Sequence, residues 1–456
     1  MAKIEVAIVG GGIAGLALAA GLVKKPHLNV RVYEAVEEYS DVGAGLALHR
    51  NAIRAMTLIG SEVRQAYIDK ALDMGEEDEE MVTKVILAQG DHKGQLVAEL
   101  GRAKGRKTVS RADLLDGLRA LIPPECICLG SRVRAIHDKS NGNLKRSYKR
   151  PNNVKLKMAD GTYRYADCLL GADGIHSVTR SYLLGHQHTA TKPKNHDGWH
   201  IYRTMVTTEE ARKQINPKWT TSVPILIGPR GHINCIPLNK NTRLSAGIAV
   251  RGVKLSPDGQ APALDHKNYA DYREDAQDII RMIEKGKRME WQAADLDHAP
   301  FYAQHNVAML GDAAHAALPF AGNGAAQALE DAAVLNCLFD EVKKREDIEL
   351  ALRVFDEVRR PRSQAVVELS CKFGRVYAYA EDGMHEDPKR MKKFFADAAS
   401  FTNDFDVDGQ NITALHLYRY RRMAMEDSDS DSVGVLLDFD DLHDHQTGDD
   451  LASRRL

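Results

Sequence analysis

A chain of 456 residues is long enough to bury a large core and reads as two interleaved domains. Its formal net charge of -2 removes any electrostatic case for nucleic acid, and 43% hydrophobic with 28% charged residues is the balance of a globular enzyme. The apolar stretch over 6–23 is broken by Gly10, Gly11, Gly12, Gly15 and Gly21, which predicts a strand-turn-helix rather than a leader; no other run reaches the roughly 18 apolar residues of a membrane span.

In chain order, residues 3–9 predict a strand, 10–15 a tight turn, 13–23 a helix and 30–34 a second strand, a βαβ unit. Residues 50–59 and 111–121 carry amphipathic helical periodicity. Residues 131–136 and 154–158 read as a hairpin whose basic connection (Lys145, Arg146, Lys149, Arg150) is a solvated loop. From about 198 to 250, short alternating strands with turns at 228–231 and 239–241 predict an antiparallel sheet. A helix follows near 268–285, and long helical periodicity runs over 345–382. Beyond 425 the chain turns to Asp, Ser and His, a tail expected to be disordered or loosely attached. Cys126, Cys128, Cys168, Cys235, Cys337 and Cys371 include no CxxC pair, which predicts free thiols in a reducing, cytoplasmic setting.

Three turns carry chemistry. In Gly10-Gly11-Gly12-Ile13-Ala14-Gly15 the first glycine permits the turn, Gly12 lets amides approach a pyrophosphate, and Gly15 lets helix and strand close together. Glu34 ends the next strand 19 residues after Gly15, placed to accept from a ribose diol. This loop alone serves NAD or FAD, and its bland alternative is a glycine-rich turn with a surface glutamate. Cys168-Leu-Leu-Gly-Ala-Asp173-Gly174 runs into a short helix bearing Ser177 and Arg180; an Asp-Gly turn by itself is common. The third segment starts at Val307 and passes through Gly311-Asp312-Ala-Ala-His315. It continues as Pro319-Phe320-Ala321-Gly322-Asn323-Gly324-Ala325 and ends at Asp331: a strand, an acidic turn, a proline-glycine loop and an alanine-rich helix. Phosphate- or ribose-binding turns at opposite ends of the sequence point to one extended dinucleotide, the pattern of an FAD site. No HxxxH or HExxH arrangement occurs, and no metal is expected.

Taken together and in order, these motifs resemble the class A FAD-dependent monooxygenases, the family of para-hydroxybenzoate hydroxylase and salicylate hydroxylase. The resemblance runs to about residue 373, includes Phe355-Asp-Glu-Val-Arg-Arg-Pro361-Arg362, and is strongest toward fungal salicylate-hydroxylase-like enzymes of secondary metabolism. It implies an α/β fold: a Rossmann-type FAD-binding domain (1–185 and 296–382) interleaved with an antiparallel-sheet substrate domain (186–295), then a helical, acidic tail (383–456). It implies FAD held by Gly10, Gly12, Gly15, Glu34, Ala47 of the 43–47 segment, Arg111, Asp173, Asp312, and the amides of Gly324 and Ala325. NADPH or NADH is implied as a transient co-substrate, since no second GxGxxG exists. The implied reaction uses NAD(P)H and O2 to form a flavin C4a-hydroperoxide that hydroxylates a small phenolic or salicylate-like aromatic, with Pro319 bordering the site. Epoxidation or hydroxylation of an indole or alkene is the alternative, and a non-catalytic flavin-binding protein a distant third. The implied assembly is a monomer or homodimer.

Arg203, in Trp199-His-Ile-Tyr-Arg203, matches an arginine that in fungal relatives anchors a phenolate or assists oxygen transfer. An inward arginine on an apolar strand is costly unless paired, against the alternative of a sheet-edge charge. Phenol-dearomatising relatives carry a tyrosine further along the sheet; this chain has Gly231-His232-Ile-Asn234 there. His232 is then a candidate base near neutral pH, or a plain sheet histidine. His49-Arg50 replaces a small pair and faces either the flavin or solvent. His315 reads as structural, and Trp199, Trp219 and Trp291 never form the W-x-W-x-I-P of flavin halogenases.

Overall fold

The computed structural model describes residues 2–39, 45–71, 80–104, 108–138, 154–238 and 242–430. A six-stranded sheet runs in the order Ala303–Gln304, Val307–Met309, Cys168–Gly171, Ile4–Val9, Leu28–Tyr33, Ile127–Cys128, parallel except for its first pair. Strands buried on both faces need no alternation, and the apolar Ile4–Val9 and Cys168–Gly171 show none. Helix Ile13–Leu22 lies against this sheet and is buried nearly all round, as its unbroken run of Ala, Leu and Gly demands. Helix Gly324–Glu341 packs on it and on Arg50–Ile59.

A second sheet, seven-stranded, runs in the order Arg288–Gln292, His200–Thr207, Arg243–Val250, Gly231–Leu238, Val223–Gly228, Glu80–Leu87, Leu96–Lys104. Its last two strands come from well before residue 186, and Val223–Gly228 pairs with Glu80–Leu87 in parallel. The antiparallel sheet expected over 198–250 is therefore there, but wider than composition indicated. Period-two alternation gives the sheet two characters. One face, with Tyr202, Ile233, Cys235, Ala246 and Ile248, is sealed by helix Glu274–Lys285 through Ile279, Ile280 and Ile283. The other face, with Ile201, Arg203, His232, Asn234 and Ala249, looks into a cavity shared with the first sheet. Helices Asp347–Tyr377 and Pro388–Asn403 close that face with Phe373, Tyr377 and Phe395.

Val133–Asp138 and Val154–Met158 form the expected hairpin, extended by Tyr163–Ala166 into a three-stranded sheet; the basic connection lies outside the described residues. The last helix, Val407–Ser430, carries the chain past residue 425 into the acidic run, helped by Arg422 on Glu426 one turn on. Residues 431–456 lie outside the described residues. No helix among the described residues is long and apolar enough to cross a membrane.

Candidate functional site

One cavity of about 890 Å³ takes in residues from both sheets. Gly10, Gly12, Glu34, Ala47, Arg111, Asp173, Arg203, His232, Asp312, Pro319, Gly324 and Ala325 all line it. Gly15 does not: it sits behind the wall, where a Cβ would come within 2.0 Å of Gly10 O, so its role is to let the helix close on the strand. Gly43 and Ala44 lie outside the described residues.

At the nucleotide end, Glu34 Oε2 accepts from Gly11 N at 2.5 Å and Oε1 from Val36 N at 3.0 Å, which fixes the carboxylate at the end of its strand. Arg111 opens helix Arg111–Arg119, whose N-cap Ser110 accepts from Asp113 N. Its Nη2 would be 3.9 Å from a Cβ on Gly12, so guanidinium and glycine loop face one space. Asp173 is committed to its own turn, accepting from Ser177 Oγ (2.5 Å) and from Thr179 N (3.0 Å) and Oγ1 (3.2 Å). Burial nonetheless holds its carboxyl above the usual range. Arg180 is fully buried and donates to four carbonyls: Asp297 (2.5 Å), Ala190 (2.6 Å), Ala314 (2.7 Å) and Ala313 (3.1 Å). It thus ties the Asp173 turn to the backbone just after Asp312, and burial pulls its pKa down to about 10. Asp312 begins helix Asp312–His315 and is exposed; among the described residues its carboxylate has no hydrogen-bond partner.

Behind the Pro319–Ala325 loop lies a buried charge network. Asp331 accepts from Gly311 N (2.8 Å), His315 Nε2 (2.6 Å) and Arg359 Nε (2.7 Å). Burial pushes the Asp331 carboxyl up, but the charges and hydrogen bonds of His315 and Arg359 outweigh it and hold the group below the usual range. Arg359 also reaches Glu330 (2.7 Å), Gln327 and Gln410, while Glu330 takes Asn51 (2.8 Å) and Arg362 (3.3 Å). His315 is thereby a structural ligand of Asp331. Arg50 is exposed and pairs with Asp404, whereas His49 lines the cavity.

The sheet end is apolar with a few polar groups. Arg203 Nε is buried without a hydrogen-bond partner, and no carboxylate pairs with the guanidinium among the described residues. Among the described residues, its guanidinium lies over the Trp291 ring at 5.6 Å. Burial lowers its pKa. A Cβ on Gly247 would come within 3.2 Å of both Arg203 Nε and Asn234 Oδ1, so the missing side chain makes room for this pair. His232 lies edge-on to Phe320 (5.2 Å) and against Tyr377 (4.8 Å). Burial, then the charge of Arg203, pushes its pKa down to about 3, which leaves a neutral imidazole and a weak proton acceptor at neutral pH. Tyr377, Asn234 and Phe373 were not apparent from the sequence: helical periodicity marks Tyr377 as buried without saying what it faces.

The cavity wall suits FAD. A Cβ on Gly174, Gly322 or Gly324 would meet nothing within 4 Å, so bare backbone faces the space, and Arg111 and Asp312 line the same cavity. An FAD-binding-domain family model matches residues 136–370, and an NAD(P)-binding Rossmann-like model matches 8–40. The 6-methylsalicylate 1-monooxygenase of Aspergillus terreus is 32% identical over 91% of this chain and 92% of its own. A salicylate hydroxylase of Pseudomonas putida is 31% identical over 89% and 92%. Among solved structures, a salicylate hydroxylase substrate complex superposes with a TM-score of 0.74 at 27% identity, covering 91% of this chain and 98% of that one. The chain belongs to the FAD-dependent monooxygenase family that includes the salicylate hydroxylases.

Proposed function

We propose that this monooxygenase hydroxylates a small anionic aromatic of the salicylate kind, using NAD(P)H and O2. The observation that carries the reading is Arg203: a cation on the cavity wall that Ile201, Ile225, Ala249 and Phe320 also line, its Nε buried and without a counter-charge among the described residues. Such a charge is costly until an anion enters; guanidinium matches a carboxylate through two parallel hydrogen bonds and can also donate to a phenolate oxygen. A neutral indole or alkene leaves that cost standing, which ranks the epoxidase reading second.

FAD, when bound, supplies the redox chemistry and oxygen activation. Glu34, Arg111, Asp312 and the amides of Gly324 and Ala325 hold and orient it, the helix N-terminus at Gly324 favouring negative charge nearby. Pro319 and Phe320 set the loop between cofactor and substrate spaces. Phe320, Phe373 and Ile225 keep water from the reacting carbon, and Arg203 fixes the ring by its anionic edge. The six cysteines form no disulfide, which suits a reducing, cytoplasmic setting.

The test is NADPH or NADH oxidation by the flavin-loaded protein over a panel of salicylates, phenols and indoles, with 18O2 incorporation read by mass spectrometry. Salicylates are expected to accelerate oxidation and take up one labelled atom. Arg203→Met is expected to keep FAD and lose about 10–100-fold in salicylate affinity, the worth of one hydrogen-bonded charge. If no salicylate accelerates oxidation, the proposal fails.

A further inference from the structure

The parallel sheet has a smaller cavity, of about 370 Å³, on the face turned away from helix Ile13–Leu22. A Cβ on Gly15 would come within 3.3 Å of Ile8 Cγ2, so that helix takes the Ile8 face of the first strand. The register sets Glu5 beside Asn29, Ala7 beside Arg31 and Val9 beside Tyr33, which sends Glu5, Arg31 and Tyr33 to the opposite face. Cys128 lies beside Tyr33 in the next strand. Arg164, Tyr165 and Ala166 of the three-stranded sheet complete the lining. The volume is in the range of small-molecule sites, roughly 300–1,000 Å³.

This lining is rich in unused donors. Among the described residues, Arg31 donates only to Glu125 O, at 3.3 Å. Arg164 donates only to Thr162 Oγ1 (3.4 Å) and Tyr163 O (3.1 Å), its own neighbours in the chain. No carboxylate pairs with either guanidinium among the described residues. Tyr33 is 5% exposed, and its hydroxyl, without a partner among those residues, is not sealed from solvent; the crevice is what it faces. Burial holds its phenol above the usual range while Arg31 and Arg164 pull it down, so both cations lie within electrostatic reach of it. Glu5 is the one acid in the lining among the described residues, and its Oε2 already accepts from Asn29 Nδ2 at 2.7 Å. Tyr165, half exposed, stands at the rim.

We infer that this crevice is a nucleotide site apart from the flavin cavity, with Arg31, Arg164 and the Tyr33 hydroxyl on the phosphate and the Tyr165 ring against the base. Two unpaired guanidiniums and a phenol lack acceptors, and the oxygens of one phosphate supply them through charge-assisted hydrogen bonds. Inorganic phosphate would leave the aromatic rim idle, whereas a base stacks on such a ring whatever its sequence of donors and acceptors. The ribose hydroxyls are donors, which suits the remaining oxygen of Glu5. A free nucleotide and the adenylate end of the nicotinamide reductant share this chemistry.

The test is calorimetric titration of the flavin-loaded protein, its large cavity already filled, with 5′-AMP, 2′-AMP, adenosine and inorganic phosphate. Wild type is expected to bind one of the two monophosphates at least ~10-fold tighter than adenosine or phosphate. Arg31→Ala and Arg164→Ala, both at exposed positions, are each expected to lose most of the advantage over adenosine. Tyr165→Ala is expected to weaken the nucleotide about 10-fold and to leave phosphate binding within about two-fold. A KM for the nicotinamide nucleotide that rises in Arg164→Ala assigns the site to the reductant; an unchanged one assigns it to a free nucleotide. A wild type that binds neither monophosphate overturns the inference, as do arginine variants that bind as wild type does. Nucleotides bound no tighter than phosphate overturn it too, since the crevice would then be a plain anion patch.

Discussion

His232 sits across the Arg243–Val250 strand from Arg203, and burial with that neighbouring charge sets its titration. The unfolded chain takes up a proton as pH falls below the ordinary value of 6.5, whereas the folded chain resists until about 3. The unfolded state therefore binds more protons in that window, and stability drops as pH falls through it, by up to about 1.4 kcal/mol per unit. His232→Leu removes the effect. Between pH 7 and pH 5, urea unfolding is expected to show a smaller stability loss in the variant, by roughly 2 kcal/mol; equal losses would show that the native imidazole protonates freely. Asp312 tests the other end of the cavity. Asp312→Ala is expected to elute without its yellow cofactor and to match the urea midpoint of the flavin-free wild type, since the carboxylate has no structural partner among the described residues.

Among the elements, the glycine turns were legible from the sequence because they mark where backbone must come close to backbone or ligand. Gly10 has a φ of 103° and Gly311 of 59°, values that side chains rarely allow. The first βαβ unit and the hairpin were legible for a similar reason, their periods being local. Less local features were not. Glu80–Leu87 joins the substrate sheet by pairing with a strand far along the chain, and nothing within its own residues names that partner. Arg359 and Arg362 stood out as a motif, but not that they lie buried against Glu330 and Asp331. A helical pattern shows which face is covered and leaves the covering partner unknown. Arg359→Met examines that network. Two buried carboxylates would lose their main cation, and a cost of about 3–5 kcal/mol in urea unfolding is expected, with weaker FAD binding because the same helix presents Gly324 and Ala325. A variant as stable as wild type would show the network to be dispensable.

In the whole molecule, the cofactor space lies between two sheets with separate cores, so whatever fills it ties them together. A ligand that binds only the folded state stabilises it by about 2.7 kcal/mol at a hundredfold excess over Kd. Calorimetry of the flavin-free chain titrated with FAD is expected to raise Tm in proportion, with both sheets melting together. A transition that ignores FAD would mean that the cavity is not its site.

The network joining Asn51 to Glu330, Arg359 and Gln410 also has a consequence for biosynthesis. The ribosome releases the Gly10 turn early and Gln410 late. At roughly 5–20 residues per second the interval between them is on the order of 20–80 s. Throughout it the emerging chain has the early lining of the cavity and no wall behind it. Whatever fills the cavity therefore meets a complete wall only once Gln410 has emerged.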